Sequence, residues 1–449
     1  MCGPHVTWRF RHGLTCPISS SKTGARNSRA SEVSVWSVPS AWNAVHVHAL
    51  LLARLTLPES RMPRHETLSR RQFAALAAVG AAGIILPRTA PAESAAPSPR
   101  SAGWPGYDKA IIIDNLATPG PFNVPNGFER PYSTQMVTNA IASGITAVNV
   151  TISGGGQLGA AAFESSIRNI GFLENEFDRH PDAFVKVKTV ADIRRAKENR
   201  RLGLIPGFQD ATMLESDVSR VDLFHQLGIR IIQLTYNVRT LLGDGCLEPA
   251  NAGLSSFGRA AVARMNQVGI LVDVSHCGRQ TTLDAIAHST KPIAATHSSC
   301  AALNDVPRAK TDDQIRRLAA KGGVIGIYMM PFLRASGQPT GDDFIQHIEH
   351  AIKVAGEDHV GVGSDNSITP LDLTPEFRTL HAGFVRQRRE QGISAPGEDG
   401  NVFNHVPELD SPRRMDRIAD RLAVRGHSSA RIEKIIGGNW LRLFGEVWQ

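Results

Sequence analysis

"KAIIIDNLATPG" (residues 109–120) runs from Lys109 through three isoleucines to a carboxylate, Asp114, and then to a Pro119-Gly120 turn. A short, β-branched apolar run bounded by turn residues reads as a strand buried on both faces. Counted as 110–114, it is the first of eight such runs; the others are 145–152, 202–208, 230–234, 270–275, 292–296, 324–328 and 360–363. Helical patterns separate the later ones, at 221–227, 257–268, 280–288, 312–321 and 342–355. The fourth of these has acid at its start and base at its end, as the helix dipole favours. Eight strands alternating with helices is the pattern of a TIM (β/α)8 barrel. The competing reading, a doubly wound open sheet, calls for a Gly-rich phosphate turn after its first strand, and 114–120 has none. "SGGGQLG" (153–159) follows the second strand instead and reads as a flexible loop. The tail from 402 to 449 reads as a helical extension, amphipathic at 417–424 and 430–436. Its last segment, "GGNWLRLFGEV" (437–447), is placed to close the barrel bottom. Neither an internal repeat nor a second folded domain is evident.

The chain carries a formal charge of +7, but the charge is unevenly placed. Residues 1–92 hold eleven Lys/Arg against three Asp/Glu, so the remainder is close to neutral. The basic balance belongs to the leader, and a nucleic-acid footprint on the domain is unsupported. Within that leader, Ser69-Arg70-Arg71-Gln72-Phe73 is a twin-arginine signature. An apolar stretch follows at 74–86, and Ala90-Pro91-Ala92 suits cleavage. The stretch is shorter than the roughly 18 residues a membrane span needs. Residues 62–92 are therefore expected to be a signal peptide that engages the twin-arginine translocation machinery and delivers the protein to the periplasm or beyond. Residues 93–106 read as a linker and 107–449 as the barrel domain. Residues 1–61 have little acid and no steady period, and Met62 is a natural start, so this extension is expected not to belong to the native product. Cys2 and Cys16 lie in it. Cys246, Cys277 and Cys300 remain, without a CxxC pair, so a structural zinc cluster is not expected; an exported chain could form one disulfide among them.

A barrel of this kind carries its site where the strands end at the C-terminal face. Those ends present Asp114, Thr151, Gln209, Thr235-Tyr236, His276, His297, Tyr328 and Asp365. In "LVDVSHCG" and "IAATHSSC", His276 and His297 end consecutive strands, which makes them neighbours on one rim. Two neutral imidazoles side by side are natural zinc ligands. Asp365, in "GVGSDN", can serve as a ligand or as a base that orients water. Asp273 lies inside its strand and is expected to face the other side, holding a helix N-terminus or supporting a ligand from behind. Cys277 is expected not to share a metal with His276, because adjacent strand residues point to opposite faces. Cys300 reads as a small packed residue, and His225, His288, His347, His350 and His359 read as solvated.

"GILVDVSHCG", "PIAATHSSCAALNDVPRAKTDDQI", "KGGVIGIY", "VGVGSDN" and "IIGGNWLRLF" together resemble the membrane dipeptidase (renal dipeptidase) family, from about residue 111 to the C-terminus. The resemblance implies a TIM barrel of the metal-dependent hydrolase type that cleaves dipeptides, or other small amides, with two bridged zinc ions and an attacking water. It implies a dimer as well. His276 and His297 match the two histidines on the second zinc, Asp365 the aspartate that handles the water's proton, and Arg308 the arginine that grips the substrate carboxylate. Three positions depart. The His-x-Asp pair that binds the first zinc falls on Leu116 and Thr118. The bridging glutamate falls on Gln209, a weak ligand. The histidine that stabilises the tetrahedral intermediate falls on Tyr236. The expectation is a hydrolase with a reduced site holding one zinc ion, on His276 and His297 with Gln209 or Asp365. In it Tyr236 polarises the intermediate and Arg308 binds a peptide-like substrate. A non-catalytic dipeptidase-like binding protein and a tailoring enzyme on a peptide natural product are the alternatives. N-terminal sequencing of the unprocessed precursor is expected to begin at Met62; a chain beginning at Met1 would contradict the assignment of the extension.

Overall fold

The computed structural model describes residues 104–122, 130–153 and 160–448. The twin-arginine segment, the cleavage site, most of the linker and nearly all of the "SGGGQLG" run lie outside the described residues. Eleven strands are described: β1 Ile113–Asp114, β2 Ala117–Thr118, β3 Ala147–Thr151, β4 Phe184–Lys186, β5 Leu202–Phe208, β6 Ile231–Gln233, β7 Leu271–Asp273, β8 Ala294–Ser298, β9 Val324–Ile327, β10 Val360–Val362 and β11 Asn366–Ser367. The α-helices are α1 Thr134–Ala142, α2 Ala160–Arg179, α3 Val190–Glu198, α4 Arg220–Gln226, α5 Ser256–Val268, α6 Arg279–His288, α7 Asp312–Ala320, α8 Gly341–Ala355, α9 Pro375–Glu390, α10 Arg414–Val424, α11 Ser429–Glu433 and α12 Asn439–Val447. Every strand pairing is parallel, in the order β1-β3-β5-β6-β7-β8-β9-β10, with β4 pairing beside β5. The circle is joined by a few bonds rather than a full ladder: Asn115 N donates to the Val362 carbonyl at 2.9 Å and Asp365 N to the Leu116 carbonyl at 2.8 Å. The short β2–β11 pair completes it. This is the eight-stranded barrel expected from the alternating runs.

All eight runs coincide with barrel strands, and the differences have local causes. The 270–275 run stops at Asp273 because that carboxylate accepts hydrogen bonds from Ser275 N and Ser275 Oγ and turns the chain. His276 therefore lies beyond the strand, in the following loop. The 292–296 run moves on to Ala294–Ser298, past Pro292, which has no N–H for the ladder, and through a register shift between Ala295 and Ser298. The 402–413 part of the tail is not helical apart from a single 3-10 turn, Pro407–Leu409. Pro407 and Pro412 interrupt the pattern, and the helix begins at Arg414. The end of the linker belongs to the domain: Trp104 is buried and its indole N–H donates to Ser429 Oγ.

Alternation along the strands builds the interior in layers. Ile113, Ala147, Ile205, Ile231, Leu271, Ala294 and Val324 form one apolar cluster with Trp440 and Phe444 of α12. Trp440 closes the floor, as the tail suggested, and its Nε1 donates to the Val362 carbonyl at 3.0 Å. The space is tight. A Cβ at Gly361 would fall 2.4 Å from the Trp440 ring, and one at Gly326 2.0 Å from the Thr296 carbonyl oxygen. Two residues further along, on the same face, stand Asn149, Gly207, Gln233, Asp273, Thr296 and Gly326. A polar layer thus sits between the apolar floor and the mouth. Trp440→Ala is expected to destabilise the domain by about 3–5 kcal/mol, measured by denaturant unfolding, with Trp440→Phe costing much less.

Candidate active site

His276 and His297 meet at the barrel mouth, with their Nε2 atoms 3.0 Å apart. Their proton positions follow from the groups behind them. The Asn237 amide is oriented by its Nδ2, which donates to the Ile393 carbonyl at 2.7 Å, so Oδ1 faces His276 Nδ1 at 2.6 Å. An amide oxygen only accepts, so His276 Nδ1 carries hydrogen. Behind His297, the Asp273 carboxylate receives four donors: Ser275 N, Ser275 Oγ, Thr296 N and, at 2.6 Å, Thr296 Oγ1. Thr296 thereby spends its hydroxyl proton on Asp273, and its oxygen accepts from His297 Nδ1 at 2.8 Å. Both Nε2 atoms are left as lone pairs facing each other. A shared proton is disfavoured, because burial, reinforced by the Arg308 guanidinium, holds both imidazoles well below their usual pKa. The Tyr236 ring stacks on His276 with centroids 4.1 Å apart.

The other expected residues gather around this pair. Gln209, Tyr236, His276, Arg308 and Asp365 line one pocket. Asp365 occupies the left-handed region at φ +61°, where a non-glycine residue is uncommon. Burial pushes its carboxyl up to about 7, against the pull of Arg308 and Arg388, and it hydrogen-bonds the Gln209 side chain. Arg308 is buried, with NH1 donating to the Ser275 carbonyl at 2.7 Å. Asp273 stands behind His297 rather than behind His276. Sequence expectations fail at Asp273, which faces the barrel interior beside Thr296 rather than the other side, and at His347. His347 is buried, not solvated: its Nδ1 accepts from Cys300 N and its Nε2 donates to the Leu333 carbonyl. The three cysteines are free thiols.

Three further residues enter the site from places the strand-end rule does not reach. Arg388 and Glu398, from α9 and the segment after it, form a doubly hydrogen-bonded pair at 2.8 and 2.9 Å, and Arg388 NH1 donates to Tyr236 Oη at 3.1 Å. Asn237, one residue past Tyr236, orients His276. Its signal in the sequence was only its place beside a strand end.

The family model for membrane dipeptidase (peptidase family M19) matches residues 132–375. The chain belongs to this family. A solved amidohydrolase from Pseudomonas aeruginosa is 30% identical with a TM-score of 0.65, covering 76% of this chain and 98% of that one. An uncharacterised protein from the pqqA 5′ region of Klebsiella pneumoniae is 28% identical over 272 residues, 58% of this chain and 88% of its own length. Dipeptidase verJ of Clonostachys rogersoniana is 28% identical over 269 residues, 58% of this chain and 66% of its own. Membership in the membrane dipeptidase family makes the chain a dipeptidase-like hydrolase of a metallopeptidase group.

Leu116 and Thr118, on which the resemblance places the first-metal ligands, lie at the barrel closure. Leu116 is buried, and its carbonyl accepts from Asp365 N. Thr118 Oγ1 accepts from Gly120 N and meets the Tyr132 hydroxyl. Neither offers a metal ligand. Asp114 supports the barrel closure: its Oδ1 accepts from Ser364 N at 2.7 Å, beside the buried Arg414. Among the described residues, no three His, Cys, Asp or Glu are grouped to hold a metal. The nitrogen donors placed side by side are the two imidazole Nε2 atoms. Nitrogens bound to a single zinc at ~2.0–2.1 Å in tetrahedral geometry lie about 3.3 Å apart, close to the separation of the two Nε2 atoms.

The raised Asp365 pKa has a consequence for stability. Between about pH 4 and 7 the folded state keeps this carboxyl protonated while the unfolded chain ionises it, so stability falls as pH rises through that window. Asp365→Asn is expected to raise the unfolding temperature at pH 8 while changing it little at pH 4, measured by thermal unfolding at the two pH values.

Proposed function

We propose that this chain is a metal-dependent hydrolase of dipeptides or similarly small amides, holding one divalent ion between His276 and His297, with zinc the best match to two imidazole nitrogens. The carrying observation is the two Nε2 atoms 3.0 Å apart, with each ring's Nδ1 engaged by a group behind it. When bound, such an ion supplies Lewis-acid polarisation of a carbonyl and lowers the pKa of a water molecule.

The chain's own groups account for the remaining steps. Asp365, with its pKa near 7, takes the proton released as water attacks and returns it to the departing amine. The Tyr236 hydroxyl accepts from Arg388, so its own proton is directed to the developing oxyanion. Arg308 binds the substrate carboxylate. Because Asp365 must be ionised to act as the base, activity rises with pH through its titration, whose midpoint of about 7 in the metal-free protein a bound cation shifts downward. We also propose export through the twin-arginine pathway, on the strength of the Arg70-Arg71 segment. The second reading, a peptide-binding protein without turnover, is favoured by Leu116, Thr118 and Gln209 standing at ligand positions. Metal analysis of the purified protein is expected to find one zinc per chain. His297→Ala is expected to lose it and to lower kcat/KM on a cleaved dipeptide at least about 100-fold. Two zinc ions per chain would overturn the single-ion reading. No metal and no turnover after zinc addition would favour the binding protein.

A further inference from the structure

The pocket at the mouth leaves a cavity of only about 30 Å³. That is room for about one or two water molecules and not for a dipeptide. One wall of its lining, Phe384 and Arg388 of α9 together with Ala395, Glu398 and Asn404, comes from the segment after the last barrel strand. A dipeptide fits only if part of the lining moves.

The wall is knotted to itself. Glu398 accepts from Arg388, from Ser394 Oγ at 3.1 Å and from Ala395 N at 2.9 Å, and Arg389 NH2 donates to the Glu398 carbonyl at 2.7 Å. Its far end is tied to the barrel by Gln338, which donates to the Phe403 carbonyl at 2.8 Å and accepts from Phe403 N at 2.9 Å; two further ties lead to His276. Arg388 holds the hydroxyl of Tyr236, whose ring stacks on the imidazole. The Ile393 carbonyl takes the Asn237 amide hydrogen and so presents Asn237 Oδ1 to His276 Nδ1. If the wall lifts, Asn237 Nδ2 loses its acceptor. The amide then keeps only the contacts on Oδ1, from His276 Nδ1 and, at 3.3 Å, from Cys246 Sγ, and the hydrogen on His276 is held less firmly on Nδ1.

We propose that α9 and residues 391–404 form a lid, latched by Arg388 and Glu398, whose closure orients His276 through Asn237. Asn237 is a positioning residue: it acts through the imidazole, which its Oδ1 meets at 2.6 Å. The closed lid fixes the Nδ1–H form and frees Nε2 for an ion, and the open lid relaxes it. Substrate admission and ion retention are thereby coupled through one amide. The ion part of this statement rests on the metal reading above; the imidazole part does not.

The experiment uses the full chain, wild type and the Glu398→Gln, Asn237→Asp and Asn237→Ala variants. Each is measured for hydrogen exchange at 391–398, for the His276 tautomer by 15N NMR of the metal-free protein, and for zinc affinity by chelator competition. Glu398→Gln is expected to speed exchange at 391–398 about tenfold, to mix the two tautomers and to weaken zinc binding about 10–100-fold. Asn237→Ala is expected to mix the tautomers as well. Asn237→Asp keeps an acceptor for Nδ1–H but has no hydrogen for Ile393, so the tautomer is expected to stay while lid exchange rises. That separation is one a merely structural role would not give. The proposal is overturned if Glu398→Gln loosens the lid while tautomer and zinc affinity stay within about twofold of wild type. It is overturned equally if Glu398→Gln leaves lid exchange unchanged. A wild-type protein that binds no zinc refutes the metal reading, and the tautomer measurement still decides the lid.

Discussion

One carboxylate inside the barrel, Asp273, organises the site from below. It is fully buried, and burial raises its pKa, yet two backbone N–H groups and two hydroxyls converge on it. Those four donors favour the charged form and fix Ser275 and Thr296 in return. Ser275 Oγ then holds the His297 backbone N at 3.0 Å, and Thr296 Oγ1 holds its ring. The same turn at Ser275 ends β7 and carries His276 into the loop where it meets His297. A single polar anchor therefore sets the strand end, the loop and the tautomer of one imidazole.

The anchor works because the barrel is layered. Trp440 and the apolar ring of strand residues seal the floor, and the polar ring above them is kept from water on that side. Hydrogen bonds in such surroundings are costly to leave unmade, so each donor has few alternatives and the geometry is narrow. On the opposite, open side, the second imidazole is set differently. His276 depends on Asn237 and Tyr236, and these depend on a segment distant in sequence. One histidine is held from the core and its partner from the cover.

The barrel was legible in the sequence because its strands are buried on both faces and read as unbroken apolar runs. Strands of two or three residues outside those runs, such as β2 and β4, carry no such signal and were missed. The helices α1, α2, α3 and α9 went unassigned. His276, His297, Asp365, Gln209, Tyr236 and Arg308 were found because strand ends and the family resemblance point to the same positions, and they do come together. His347 was misread because its sequence context is an amphipathic helix, and a period does not report that a loop carbonyl and a backbone N–H bracket the ring. Arg388 and Glu398 were missed because they lie on the α9 cover and not at a strand end.

The sequence by itself determined the barrel, the family and the two neighbouring histidines. These are properties of residue type and spacing along one chain. The tertiary structure alone decided which ring nitrogen of each histidine carries hydrogen, how far the Asp365 carboxyl is raised, and that the mouth is covered. Those depend on what packs against a group from elsewhere in the chain. Asn237 meets the Ile393 carbonyl 156 residues away, and Tyr236 meets Arg388 across 152. No local pattern encodes such contacts, because the barrel's closure brings them together.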